Sequence, residues 1–475
     1  MTYRKSSSFF WTLPLFAAVI LGILIPLAPP SFFLALIFFP LFLWVCFVHT
    51  HIAATIAIGL ICGLGLQFLP EISVGPGSIK AYEPLSLIVL AGAIRSHYID
   101  NDKDKNLFAF RDLWIFWCFV LLSFFGALNG LMFNETAIKP VLQELRIQYC
   151  WIFAPISYFI FRNERNAHKY LDSLLALGII LALVSGLQYF TGFAISSKAR
   201  VEALNTLNEV NAGITRTGVP GTYFICLALY LIVSRRLIDK ASKIFTFSSV
   251  IILIFALLVS FGRALWFGSF VGFLFLMWLM RGGRGVIIVI TFSGIIGLVV
   301  AIFGSLLFPD FTLAVLDRLQ SVQYEGFRNS SFDWRLEEVT FAFQALQTNP
   351  VFGIGLGTYY KPSIVLGDDV TTELMQRYIH NSYLGLWLKF GFFGPLLAVV
   401  TAGWIFVKGF RMISVLEYSE NSRLFAILAA FLVPLITSFT QPEWLADAGV
   451  AFIGVTVGIL ASISHSSASR RSADL

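Results

Sequence analysis

Apolar runs long enough to cross a lipid bilayer recur along the whole chain, and no other feature constrains the fold as tightly. Most runs are roughly 15 to 25 residues, where an α-helix needs about 20 to cross the hydrocarbon core; the run at 83–94 is shorter. Lipid offers backbone N–H and C=O groups no partner, so continuous apolar runs must be helices, and their unbroken character excludes β-barrel strands. Candidate spans lie at 9–28, 31–48, 51–69, 83–94, 113–133, 147–161, 171–190, 219–233, 244–260, 264–280, 286–308, 382–407, 424–440 and 450–464. Those are fourteen, and merging or losing one pair leaves twelve. The expected fold is all-α, a polytopic transmembrane helical bundle of 12–14 spans. Composition agrees: 57% of the residues are apolar and 13% charged, against about 25% charged in soluble domains.

Phe9 to Ala28 follows Arg4 and Lys5 as a signal peptide would, but it has no small-x-small cleavage site and runs into Pro29-Pro30. It reads as a retained first span. Cys46, Cys62, Cys118, Cys150 and Cys226 all sit in or beside apolar runs without a C-x-x-C pair, which suggests neither a disulfide framework nor a metal site. With the N-terminus inside, the alternate segments and both termini hold 20 Lys and Arg, while the short outside segments hold 7. That bias sets the orientation, places both termini in the cytoplasm and accounts for most of the net charge of +6.

The chain then divides into N-terminal membrane helices at 1–308 (about 11 spans), a large outer loop at 309–381, C-terminal membrane helices at 382–464 and a Ser-rich cytoplasmic tail at 465–475, expected to be unstructured. A smaller outer loop spans Thr191 to Gly218. The large loop reads as folded, because "SSFDWRLEEVTFAFQALQTNP" has Ser331 or Asp333 to cap a helix, Leu336, Val339, Phe343 and Leu346 at helical spacing, and Asn349-Pro350 to stop it. An amphipathic helix on the outer membrane face is expected.

Four constellations could carry chemistry. His380-Asn381 stands where the loop meets the next span; such a histidine is often only an interfacial polar group, yet a helix N-terminus favours the neutral, proton-accepting imidazole that a general base requires. Arg263 lies between two apolar runs on the outside, where a basic residue costs roughly 2.5 kcal/mol or more at depth and runs against the charge bias. Arg335 has Glu338 at i+3, which a plain surface ion pair explains; alternatively, it joins Arg263 as a second fork donor to a pyrophosphate. Gly353, Gly355 and Gly357 in "NPVFGIGLGTYY" form either a tight turn or a close approach of backbone N–H groups to a phosphate. Lys389 either snorkels to the surface or faces a hydrated cavity. Asp310, Asp317, Asp333, Asp368 and Asp369 lack metal-ligand spacing, so no metal is expected.

In order, Ser-x-x-Arg at Ser260 to Arg263, the Arg335 helix ending at Asn349-Pro350, Gly353-x-Gly-x-Gly357, and His380-Asn381 followed nine residues later by Gly391-x-x-Gly394 resemble the O-antigen ligase and polymerase superfamily. The motifs cover about residues 255 to 400. The resemblance implies a large periplasmic loop and a bacterial inner-membrane glycosyltransferase of lipopolysaccharide or other polysaccharide biosynthesis. It implies transfer of a glycan from undecaprenyl diphosphate to a hydroxyl, of the lipid A core in a ligase or of a second lipid-linked repeat unit in a polymerase. His380 would accept the proton. Arg263 and Arg335 would hold the diphosphate, with Asn381 and Gly353, Gly355 and Gly357 beside them; no cofactor or metal is implied. The two glycines of Gly391-x-x-Gly394 would allow close helix packing beneath the site. Two other classes compete. A small-solute transporter would show charged or broken helices at mid-membrane, whereas the polar groups here gather in one outer loop, and a scaffold subunit would tolerate alanine at His380, Arg263 and Arg335.

Overall fold

The computed structural model describes residues 40–65, 72–74, 77–100, 112–196, 198–203, 215–238, 243–291, 294, 309–320, 331–361, 377–414 and 418–473. The candidate span at 9–28, the first half of that at 31–48 and most of that at 286–308 lie outside them. Helices dominate: α1 (Thr50–Ile61), α2 (Tyr82–Asp100), α3 (Trp114–Leu128), α4 (Ile138–Tyr149), α5 (Phe153–Phe161), α6 (Glu164–Thr191), α7 (Thr222–Ile238), α8 (Lys243–Val259), α9 (Arg263–Arg281), α10 (Pro309–Gln320), α11 (Ser331–Thr348), α12 (Ser382–Phe390), α13 (Phe393–Ile413), α14 (Tyr418–Thr437) and α15 (Asp447–Ala473). Two short antiparallel ribbons complete the fold: β1 (Ile72–Val74) with β2 (Gly77–Ile79), and β3 (Arg200–Ala203) with β4 (Thr215–Gly218).

The core is built from helices that are apolar all round. From Phe153 to Ile160 every residue of α5 is buried, and α5 packs along α15, which is itself buried from Val450 to Ala461. Around this pair α14 lies against α7 and α9, and α6 against α7. Gly458 permits the tightest of these approaches, since a Cβ there would stand 2.2 Å from the Ala154 carbonyl oxygen. Facing outward are Phe124, Phe190, Phe245, Phe267 and Val399, large apolar side chains that lipid rather than water would cover. Among the described residues four helical stretches have the length and composition to cross a membrane: Trp114–Phe133, Asn166–Thr191, Arg263–Arg281 and Phe393–Ile413. Shorter apolar helices occur at Thr50–Ile61, Thr222–Arg235, Ile244–Val259, Asn421–Thr437 and Asp447–Ile463.

Local structure departs from the expected spans at three places. The run 147–161 is broken by a 3₁₀ turn at Cys150–Ile152 between α4 and α5. The run 382–407 is broken at Gly391, so α12 is only a nine-residue helix before α13. The Ser-rich tail is not unstructured, because α15 continues to Ala473.

Gly391 explains the second break. Its φ of 67° and ψ of −164° lie in a region open essentially to glycine alone, and a Cβ there would meet the Val351 carbonyl oxygen at 1.9 Å. The glycine pair therefore builds a turn and hairpin: Gly391 turns the chain, and Gly394 lets α13 close on the Leu386 carbonyl of α12. Gly391→Ala is expected to destabilise the protein by about 2–5 kcal/mol, from left-handed strain and overpacking together. Thermal unfolding in detergent would show it; an unchanged midpoint would contradict this account of the turn.

Candidate functional site

The ends of α6, α8 and α14 and the starts of α7, α9, α12 and α15 meet at one end of the bundle, where the loop helices α10 and α11 cover them. There α11 packs on α12 around Ala342, Leu346, Ile354, Ile379, Leu384 and Leu388. Of the apolar face expected for α11, Leu346 is buried, but Leu336 and Phe343 are 56% and 47% exposed. The inward stripe is Glu338, Ala342 and Leu346, spaced by four, and the exposed Leu336 and Phe343 form the surface a bilayer interface would accept.

Glu338 is the acid at the head of that stripe. Its side chain is 2% exposed, and its carboxylate receives the Lys361 ammonium, the His380 backbone N–H at 3.2 Å and His380 Nδ1 at 2.9 Å. Burial alone would push this carboxyl up, but the hydrogen bonds and charges of His380 and Lys361 outweigh it and hold the carboxyl below its usual range. Burial likewise holds the Lys361 ammonium below its ordinary value despite Glu338. A carboxylate can only accept, so Nδ1 must donate, leaving Nε2 as the lone-pair acceptor. The expected Arg335–Glu338 surface pair is not formed.

A depressed carboxyl stabilises the fold above its unfolded value, roughly 4.3, and this contribution is lost as pH falls through the lower folded value. Acid titration of thermal stability should therefore show a steeper loss below about pH 4 in the wild type than in Glu338→Gln. Parallel curves would contradict the assignment.

The histidine segment is pinned on both sides. The Tyr360 hydroxyl donates to the Tyr378 carbonyl at 2.8 Å, Ser382 N–H to the Ser438 carbonyl at 2.8 Å, and the Ser382 hydroxyl to the Gln441 carbonyl at 2.7 Å. Asn381 caps α12, its side-chain oxygen accepting from Leu384 N–H at 3.0 Å. His380 itself remains 28% exposed and stands edge-on to the Tyr378 ring at 4.8 Å.

Arginines gather beside this segment. Tyr378, raised chiefly by burial, lies within reach of the charges of Arg200 and Arg335 as well as Glu443 and Glu338. Arg216, on β4 opposite Glu202 of β3, is lowered to about 10 by burial and by the neighbouring guanidinium groups of Arg200, Arg318 and Arg335. Among the described residues Arg335 makes no hydrogen bond or ion pair. Arg216 Nε donates to the Ser260 carbonyl at 3.0 Å and Arg318 Nε to the Phe261 carbonyl at 3.3 Å. Between them Phe261 holds a left-handed φ of 46°, its ring fully buried against Phe311 and Trp266. That clamped turn leads directly into Arg263, the first residue of α9.

Gly353, Gly355 and Gly357 belong to the scaffold beneath. All three have positive φ, and a Cβ on each would strike protein backbone: Leu388, Gly130 and Val141 respectively. The N–H of Gly353 donates to Asn349 and that of Gly357 to Glu144. The close approach they permit is to the protein's own chain.

The site thus joins a carboxylate-oriented histidine to a group of arginines at one end of an apolar helical bundle. Residues 248–399, about a third of the chain, match the O-antigen ligase family. That match supports a ligase- or polymerase-type membrane enzyme of polysaccharide biosynthesis, a class whose substrates are lipid-linked glycans. The matched stretch contains Arg263, Arg318, Arg335, Glu338, Lys361 and His380, whereas Arg200 and Arg216 come from the hairpin outside it. No curated protein matches the chain.

Proposed function

We propose that the protein transfers a glycan from undecaprenyl diphosphate to an acceptor hydroxyl at the periplasmic face of the bacterial inner membrane, as a ligase acting on the lipid A core. The observation that carries this reading is the His380–Glu338 pair beside the arginine cluster. Nε2 of His380 takes the acceptor proton as the hydroxyl oxygen attacks the anomeric carbon. The bond from that carbon to the diphosphate oxygen breaks, and the carrier diphosphate leaves with its added charge. Arg263 and Arg335 bind that diphosphate as fork donors, and Arg200, Arg216 and Arg318 deepen the positive potential around it. A diphosphate is already a good leaving group, so fixed donors and one positioned base can suffice. Both termini lie in the cytoplasm in this reading.

A deletion in the native host tests it, with carrier-linked and lipid A-linked glycan separated on gels. Loss of a ligase leaves long polymer on the carrier and lipid A bare. Single repeat units with no long polymer anywhere would instead make the enzyme a polymerase, and an unchanged pattern would refute both.

A further inference from the structure

Beside the histidine segment lies a largely apolar cavity of about 390 Å³, whose wall includes the polar groups of Gln143, Glu144, Arg377, Tyr378, Lys389 and Asp447. Its carboxylates are already engaged. Glu144 accepts from Lys389 Nζ at 3.0 Å and Gly357 N–H at 2.7 Å, and Asp447 is paired with Lys198. Lys389 therefore neither snorkels nor faces lipid; it is 3% exposed in the cavity wall.

Arg377 is held differently. It is 8% exposed, and its guanidinium donates only to neutral acceptors, the Pro140 carbonyl at 3.3 Å and Gln143 Oε1 at 3.0 Å, while stacking 5.6 Å from the Tyr359 ring centroid. Its Nε has no acceptor. No carboxylate among the described residues lies within 4.0 Å of it, the ion-pair distance that Glu144 and Asp447 satisfy elsewhere in the same wall. A guanidinium does not lose its proton, and a buried charge without a counter-charge is costly. An anion from outside would complete it.

We infer that this cavity is an acceptor subsite for an anionic sugar, with Arg377 gripping its carboxylate or phosphate. The inference rests on the glycan-transfer reading for the word acceptor, but not for the anion. The volume suits a short sugar segment, at the small end of the roughly 300–1,000 Å³ typical of ligand pockets. The Gln143 amide nitrogen, whose oxygen already accepts from Arg377, is a donor for a hydroxyl group at the wall. Tyr378 forms part of the wall and also meets the His380 ring, so a sugar seated on Arg377 has its next hydroxyls beside the base.

The full-length protein in detergent can be titrated with inorganic phosphate, methyl glucuronide and neutral methyl glucoside, following intrinsic fluorescence, as wild type, Arg377→Gln and the charge-preserving Arg377→Lys. Saturable binding of phosphate or glucuronide but not glucoside is expected, weakened at least about tenfold in Arg377→Gln, the loss of a charge-assisted contact, and partly kept in Arg377→Lys. Which anion binds tells a phosphorylated sugar from a uronic acid. Equal binding of the glucoside, or anion binding unmoved in Arg377→Gln, would overturn the site. In transfer assays the acceptor KM should rise about tenfold with the donor KM unmoved; an unchanged acceptor KM would overturn the acceptor role. Anion binding through Arg377 in a protein that transfers no glycan would refute the proposed function and leave the anion site standing.

Discussion

Replacing His380 with alanine should lower glycan transfer by about 10²–10⁴-fold, the usual worth of a positioned general base. The side chain is partly exposed, and its substitution opens no cavity in the core, so the variant should reach the membrane folded. Loss of rate then reports chemistry. His380→Gln sharpens the test, since an amide keeps a hydrogen bond to Glu338 but has no basic nitrogen. Initial rates in membrane vesicles should fall comparably in both. A glutamine variant near wild-type rate would mean that the histidine only positions its neighbours.

Glu338 should be costly in two separable ways. Glu338→Ala removes the carboxylate from the Lys361 ammonium, 4% exposed, a loss of about 3–5 kcal/mol for a broken buried pair. Glu338→Gln preserves shape, but its amide can donate to Nδ1 and so place the imidazole proton on Nε2, the nitrogen that must accept. Transfer by Glu338→Gln should therefore fall by about 10²-fold or more while stability falls less than in the alanine variant. Thermal midpoints and rates measured on both variants check this. Wild-type rates in Glu338→Gln would remove the carboxylate from the mechanism.

The residues that could be read from the sequence are those whose position alone is anomalous. His380 stands at a helix mouth, Arg263 between apolar runs, and Arg335 on a loop helix. Glu338 is legible in the sequence only as the i+3 partner of Arg335, because the apolar spacing of Leu336, Val339, Phe343 and Leu346 points to a different face from the Glu338, Ala342 and Leu346 stripe that turns inward. Arg200 and Arg216 could not be found this way, because only the pairing of β3 with β4 brings the hairpin to the site. Arg318 is likewise defined by where the Phe261 carbonyl points. Composition and periodicity carried the all-α bundle; they missed the break at Gly391, because hydropathy averages over a turn that one glycine makes. Asn381 caps α12, and Gly353, Gly355 and Gly357 pack against the protein's own backbone.

The most direct test of the central claim is stoichiometric transfer in proteoliposomes holding the purified protein, a carrier-diphosphate glycan and acceptor. Wild type should release one carrier diphosphate for each glycan moved to the acceptor hydroxyl, and His380→Ala should release almost none. Release at the wild-type rate by His380→Ala, or transfer without release of the diphosphate, would contradict it.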